Sequence, residues 1–396
     1  MPVPLLDVNA QNHPLEAEFT AAFLRVFKSG QFIMGPEVEA LEKEITELVG
    51  AKHALGVSSG TDAILLALMA LGIKAGDEVL VPTFTFFATA GCVSRVGATP
   101  VFVDSCPVCF NVDVNDARAK ITAKTKAIIP VHLFGQSADM DAIMALAKEH
   151  NLRVIEDGAQ SIGAAYKGKG SGTIGDFGTY SFFPSKNLGG FGDGGALVCN
   201  DDTLAEHARI LRTHGSKPKY YHHFVGGNFR LDPLQAAMLR VKTPHYSDFT
   251  KKRQANAAYY TEQLQKLSGI VLADASHCKC ATDQDKWLAS NNAKIVLPVA
   301  YAHNTHIWNQ FTLRVIGEGR RDALKDHLVK KKIGSEVYYP VTMDQQKCFA
   351  DTPESSRRGC EVAHRLAQEV ISIPIYPELA RAQQDEVIAA IAEFSS

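Results

Sequence analysis

Ala127-Ile-Ile-Pro-Val-His132 is followed by a run with helical spacing over residues 140–150 and then by Arg153-Val-Ile-Glu-Asp157. Two short apolar runs rich in β-branched residues flank a helix, the pattern of a strand, a crossover and a second, parallel strand. The pattern extends in both directions. Toward the N-terminus lie Glu78-Val-Leu-Val-Pro82 and Val101-Phe-Val-Asp104; toward the C-terminus lie Tyr180-Ser-Phe-Phe183 and Ala196-Leu-Val-Cys199. A helical run over 63–71 sits among them, and another over 37–48 carries Val38, Leu41, Ile45 and Leu48 at helical spacing behind Pro36. Such alternation predicts an α/β fold with a mostly parallel sheet between helices.

From about Asp232 the texture changes. A long helical pattern runs from Leu234 toward Leu267, then come isolated strands at 295–299, 307–315 and 336–339 and helices around 321–331 and 357–370. This predicts a large domain over residues 1–248 and a smaller C-terminal α+β domain over 249–396. Residues 273–294, polar and containing Cys278-Lys-Cys280, read as a surface excursion.

Bulk properties bound the function. The chain has 396 residues, 21% of them charged, with a net charge of −2, so no basic field exists for nucleic acid. No apolar run approaches the ~20 residues that span a bilayer. Met1-Pro-Val-Pro-Leu-Leu-Asp7 has no basic start or sustained apolar core, so it reads as no signal peptide, and a cytoplasmic setting is expected. Eight cysteines are too sparse for a disulfide scaffold at this length.

Asp157 closes the run that opened the reading. An aspartate at the carboxyl end of a buried strand faces the crevice where open α/β sheets bind ligands. Lys186 follows within Ser181-Phe-Phe-Pro-Ser-Lys186-Asn-Leu-Gly-Gly-Phe-Gly-Asp-Gly-Gly195, between an aromatic strand and a glycine-rich loop. Partial desolvation lowers such an amine's pKa and lets it attack a carbonyl. A Schiff-base lysine and an acidic partner for a pyridinium nitrogen are the minimal equipment for pyridoxal phosphate.

Other motifs extend or dilute that reading. Gly56-Val-Ser-Ser-Gly60-Thr61-Asp62-Ala63 leads into a helical run, so Gly60 and Thr61 form a candidate phosphate cradle, against the plainer alternative of an ordinary helix cap. Ser181 adds a hydroxyl. Among Phe84, Phe86 and Phe87, directly after a strand, one is a candidate to stack on a flat ring and at least one is core. Gly189–Gly195 precedes a strand, so it fails the context of a dinucleotide loop and reads as a hairpin entry beside the lysine. Cys106-Pro-Val-Cys109 has metal or redox spacing, with His277-Cys278-Lys-Cys280 as the one candidate second pair; no metal is expected. Asp232 reads as a helix N-cap with Pro233 in the first turn.

Gly56-Val-Ser-Ser-Gly-Thr-Asp-Ala63, Pro82-Thr-Phe-Thr-Phe86, Val131-His-Leu-Phe-Gly135, Glu156-Asp-Gly-Ala-Gln-Ser161, Ser181–Gly189 and Gly227-Asn-Phe-Arg-Leu-Asp232, in this order, resemble the DegT/DnrJ family of pyridoxal-phosphate-dependent sugar aminotransferases. The resemblance covers essentially the whole chain. It implies the aspartate aminotransferase architecture (fold type I) and a homodimer with active sites at the subunit interface. It implies that Lys186 forms the Schiff base and that Asp157 pairs with the pyridinium nitrogen. Phe86 stacks on the ring, Gln160 lies near the ring hydroxyl, and Gly60, Thr61 and Ser181 hold the phosphate. Asn228 reaches that phosphate from the partner subunit, and Arg230 lies near the substrate or interface. The substrates implied are L-glutamate and a nucleotide-linked keto sugar for polysaccharide or deoxysugar biosynthesis. The wording around Lys186, with Lys219-Tyr-Tyr-His-His223, leans toward the 3-aminotransferase branch over the 4-aminotransferase branch. Family dehydratases replace the lysine with histidine, which sets that reading aside. A non-catalytic regulator has no need of Lys186, Asp157, Gln160 and Asn228 together. A cysteine desulfurase could nominate only Cys348. Two departures stand out: cysteines at 106–109 where the family carries an acidic loop, and a long excursion at 273–294.

Overall fold

Seven short strands form the central sheet: β1 (His53–Val57), β2 (Glu78–Pro82), β3 (Thr99–Val103), β4 (Thr125–Ile128), β5 (Arg153–Asp157), β6 (Phe177–Ser181) and β7 (Gly195–Cys199). In the computed structural model, which describes residues 2–277 and 281–395, they lie in the order β1-β7-β6-β5-β4-β2-β3. Neighbours from β3 through β6 pair in parallel, while β7 runs antiparallel to both β6 and β1. The sheet is mixed and mostly parallel, as the alternating sequence predicts.

Both faces are covered, which is why these strands read as near-continuous apolar runs. Successive side chains of β2 go to opposite sides. Val79 and Val81 enter the core built on the helix Gly60–Ala70, whereas Leu80 packs with Ile143 and Leu146 of the helix Met140–His150.

A second sheet contains β8 (Ile270–Leu272), β9 (Ile295–Leu297), β10 (Phe311–Val315) and β11 (Val370–Ile373), in that order. β8 and β9 are parallel and the other pairings antiparallel. Val3 bridges to Ile333 and shares the core of this sheet with Leu313, Leu328 and Ile371.

Two elements differ from the sequence reading. The long helical pattern after Leu234 is two helices, Pro233–Lys242 and Tyr246–Leu264, joined by a 3-10 turn at Thr243–His245. Pro244 supplies no N–H and its ring crowds the preceding turn, so the α-helix stops there. The expected strand at 336–339 is also not a strand. Glu336 bridges to Ser372, and the chain then leaves the sheet, carrying Tyr339 to Gln160. Among the described residues no helix is long and apolar enough to cross a membrane.

Candidate active site

The carboxyl ends of β1, β5 and β6 lie along one edge of the sheet, the edge where open α/β sheets bind ligands. Asp157, the last residue of β5, is 4% exposed. Its Oδ2 accepts a hydrogen bond from Thr89 Oγ1 at 2.7 Å and its Oδ1 one from the Ala159 N–H at 3.1 Å. One step back along the strand, Glu156 points the other way. It meets His132 at 2.8 Å and accepts from the N–H groups of Gly172, Ile174 and Gly175. Both members of that pair are fully buried. They fasten the loop before β6 against β5, and so set the height at which Asp157 stands.

Lys186 lies in the β6–β7 connection, its N–H bonded to the Phe183 carbonyl. Burial draws its amine down to about 8, with the Asp157 carboxylate pulling the other way and no hydrogen bond contributing. The connection is built around close approaches. A Cβ on Gly189 would stand 2.3 Å from the Pro184 oxygen. The buried Lys242 donates to the Gly189 carbonyl at 2.8 Å, and Asn187 Nδ2 donates to the Ile307 carbonyl at 3.0 Å. The loop is therefore a braced turn that presents one lysine.

At the end of β1, Ser59 caps the helix Gly60–Ala70 by accepting from the Asp62 N–H. That cap bond does not use the N–H groups of Gly60 and Thr61. A Cβ on Gly60 would lie 2.7 Å from Ser181 Cβ, so the bare first turn faces the Ser181 side chain. Backbone N–H groups, the positive helix end and a hydroxyl together suit a phosphate.

Of the three phenylalanines, Phe84 is core, while Phe86 and Phe87 are exposed. Phe86 lies 6.4 Å from the Tyr339 ring. Gln160 accepts from the Phe134 N–H at 2.6 Å and donates to the Tyr339 hydroxyl at 3.2 Å. The structure thus gathers Lys186, Asp157, Gly60, Ser181, Phe86 and Gln160 at the strand ends. Asn228 and Arg230 flank that group: Arg230 bridges to Val57 at the end of β1, and the Phe229 carbonyl between them accepts from the Ser58 N–H at 3.0 Å. Asn228 is exposed, and with Arg230, Ser58, Asp193 and Gln235 it lines a cavity of about 410 Å³ that includes neither Lys186 nor Asp157. The Arg230 Nε is buried with no hydrogen-bond partner among the described residues. Sequence reasoning gave no role to Thr89 or Tyr339. Thr89 stood three positions after Phe86 as a plausible signal, whereas nothing local marks Tyr339.

A phosphate cradle, a low-pKa lysine, a buried carboxylate and an exposed aromatic ring fit pyridoxal phosphate in each of its chemical parts. Fold and site define a transaminase of the aspartate aminotransferase architecture that depends on this cofactor. The chain belongs to the DegT/DnrJ/EryC1/StrS aminotransferase family, whose model matches residues 14–392. It is 45% identical over 394 residues to the "pleiotropic regulatory protein" of Geobacillus stearothermophilus, with 100% of this chain and 99% of that one covered. It is 44% identical over 390 residues to the UDP-N-acetyl-3-dehydro-alpha-D-glucosamine 3-aminotransferase of Acidithiobacillus ferrooxidans, with 98% and 96% covered. Among solved structures, DesV of S. venezuelae, crystallised "in complex with ketimine intermediate", superimposes with a TM-score of 0.89 at 40% identity, over 100% of this chain and 99% of that one. The Bacillus subtilis protein NtdA, with bound cofactor PMP, gives 0.86 at 30% identity, over 99% and 85%.

Proposed function

We propose that this protein transfers an amino group from L-glutamate to the 3-keto group of a nucleotide-linked sugar, in the cytoplasm, as a homodimer with shared sites. The observation that carries the reading is Lys186, an amine held near 8 beside a buried aspartate at the strand ends. The 3-aminotransferase likeness supports the position of transfer.

When bound, pyridoxal phosphate supplies the electron sink that makes the carbon next to the amine acidic. The chain's own residues do the rest. Lys186 anchors the cofactor through its Nζ. As a free amine it would be the base that takes the proton from the donor's α-carbon. Asp157, oriented by Thr89, would keep a bound cofactor's ring nitrogen protonated. The N–H groups of Gly60 and Thr61 and the Ser181 hydroxyl would hold the phosphate, and Asn228 of the partner subunit would complete that cradle. Phe86 would stack on the ring, Gln160 would fix its hydroxyl, and Arg230 would lie toward the substrate.

The test is a visible spectrum before and after L-glutamate, followed by incubation with 3-keto and 4-keto nucleotide sugars. A cofactor band that shifts with glutamate and returns with the 3-keto sugar is the expected result. Return with the 4-keto sugar alone would move the reaction to carbon 4. The regulatory name of one relative supports a second reading, a non-catalytic protein of the same fold. A band that never shifts with any amino donor would favour it.

A further inference from the structure

Two side-chain groups lie outside the candidate site. Cys106 and Cys109 share one turn, but Cys278 and Cys280, the second pair read from the sequence, lie outside the described residues. Among the described residues no group of three or more His, Cys, Asp or Glu side chains could hold a metal. The other group is Thr83, Asp344 and His364, joined across 261 and 20 positions of chain.

Thr83 directly follows β2 and is fully buried. Its N–H donates to the Val103 carbonyl at 2.9 Å, and its own carbonyl accepts from the Met343 N–H, also at 2.9 Å. Its hydroxyl bonds in both directions, donating to Asp344 Oδ1 at 2.5 Å and accepting from the Asp344 N–H at 3.1 Å. The other carboxylate oxygen, Oδ2, lies 2.6 Å from Nε2 of His364, on the helix Glu361–Glu369. A carboxylate only accepts, so His364 donates. The Asp344 side chain is 4% exposed, and Met343 beside it shares a core with Phe349 and the helix Gly60–Ala70. A buried carboxylate is costly unless it is hydrogen-bonded. What it adds here is direction, since hydrogen-bond geometry fixes an atom's place more sharply than apolar packing does.

The three residue types match a hydrolytic triad, but their order does not. In a triad the imidazole stands between hydroxyl and carboxylate and serves as the base. Here the carboxylate is in the middle and the hydroxyl is sealed from solvent, so the group is a fastening and not a nucleophile. It fastens two walls of the candidate site. Thr83 begins the stretch that carries Phe86 and then Thr89, which bonds to Asp157. Asp344 ends the stretch that leaves the second sheet at Glu336 and carries Tyr339, whose hydroxyl meets Gln160. The two stretches touch again farther along, where the Tyr339 ring lies 6.4 Å from that of Phe86 and 6.1 Å from that of Phe84. The circuit from Thr83 to Phe86, Tyr339, Asp344 and back to Thr83 is closed, so a slip at Asp344 shifts both walls.

Given the function proposed above, we propose that Asp344 is a positioning residue: held by Thr83 and His364, it sets where Phe86 and Tyr339 stand relative to Asp157, and so the tilt of the cofactor ring that Phe86 would cover. Site groups must be kept within about 0.5 Å of their productive places. Phe86 is exposed, so packing on its outer side does not hold it there.

Pyridoxal phosphate is achiral, so the visible circular dichroism of its bound form reports how the site holds it. The test is that signal, per bound cofactor, in the whole reconstituted protein, together with the single-turnover rate on mixing with L-glutamate. Asp344→Ala and Thr83→Val, the latter close in shape but without the hydroxyl, should both bind the cofactor with a smaller dichroism. Their limiting rate should fall about tenfold, with the half-saturating glutamate concentration little changed. Thr83→Ser, which keeps the hydroxyl, should recover most of both signals. If Asp344→Ala fails to fold, the two Thr83 variants decide. Unchanged dichroism and rate in Thr83→Val, with only the thermal midpoint lowered, overturns the proposal and leaves a purely structural fastening. A wild-type protein that takes up no pyridoxal phosphate overturns the proposed function, and this inference with it.

Discussion

The amine of Lys186 is drawn down to about 8 by burial, against the opposing pull of Asp157, from an ordinary value of 10.5. A protonated amine cannot attack a carbonyl. Cofactor capture by protein stripped of pyridoxal phosphate should therefore speed up about tenfold per pH unit on the acid side and level off above about 8. Stopped-flow absorbance measures this, and a midpoint near that of free lysine would show that the amine is not desolvated. Asp157→Asn should fold normally yet lose about a hundredfold or more in kcat, roughly 2.7 kcal/mol of barrier. Thr89→Val, which removes the 2.7 Å bond to Asp157, should cost less, about tenfold. Equal turnover in Thr89→Val and wild type would mean that Ala159 alone orients the carboxylate. Lys186 and Asp157 were legible because each sits in a local context that chemistry recognises, a strand end or a glycine turn. Tyr339 was not, because it meets Gln160 across 179 positions of chain and its neighbours carry no pattern of their own.

Among the elements, the parallel strands could be read from their doubly buried runs, whereas the C-terminal strands are short and interrupted. The stretch at 336–339 looks like a strand by composition, and Val337 and Tyr338 would suit one. The chain abandons pairing after Glu336, and Tyr339 is held against Gln160 instead. The break at Pro244 was visible in the sequence as a proline inside a helical run. It matters for packing, since it starts the helix Tyr246–Leu264, whose Ala257, Tyr260 and Leu264 enter the core of the second sheet. Arg253 on that helix is 2% exposed and donates to the carbonyls of Trp308, Asn309 and Ile375. Arg253→Met should cost about 3 kcal/mol, because it leaves several buried carbonyls unpaired. Lys266→Ala, which removes an exposed pair with Glu262, should change stability by well under about 1 kcal/mol. Urea unfolding of the two variants checks the contrast, and similar losses would mean that Arg253 is replaceable by packing.

Over the whole molecule, large apolar side chains lie bare where a single chain would be expected to hide them. Phe23, Phe27, Phe32 and Ile33 are exposed near the N-terminus, and Tyr220, Tyr221, Phe224 and Val225 on the loop before Asn228. Phe86, Phe183 and Phe191 are bare at the strand ends themselves. Exposed apolar side chains in this number suit a second copy of the chain rather than solvent. In the proposed arrangement Asn228 would reach the neighbour's phosphate rather than its own. The consequence can be tested with two crippled chains. Lys186→Ala lacks the anchoring amine, and Asn228→Asp sets a carboxylate against the phosphate, so each homodimer should be nearly inactive. Unfolded together and refolded, half of the dimers are mixed, and each mixed dimer rebuilds one sound site from the Lys186 of one chain and the Asn228 of the other. About a quarter of wild-type activity should return. If the mixture stays as inactive as its parents while mixed dimers are present by mass, each site is made within one chain, and Asn228 serves the fold or its own cavity with Arg230.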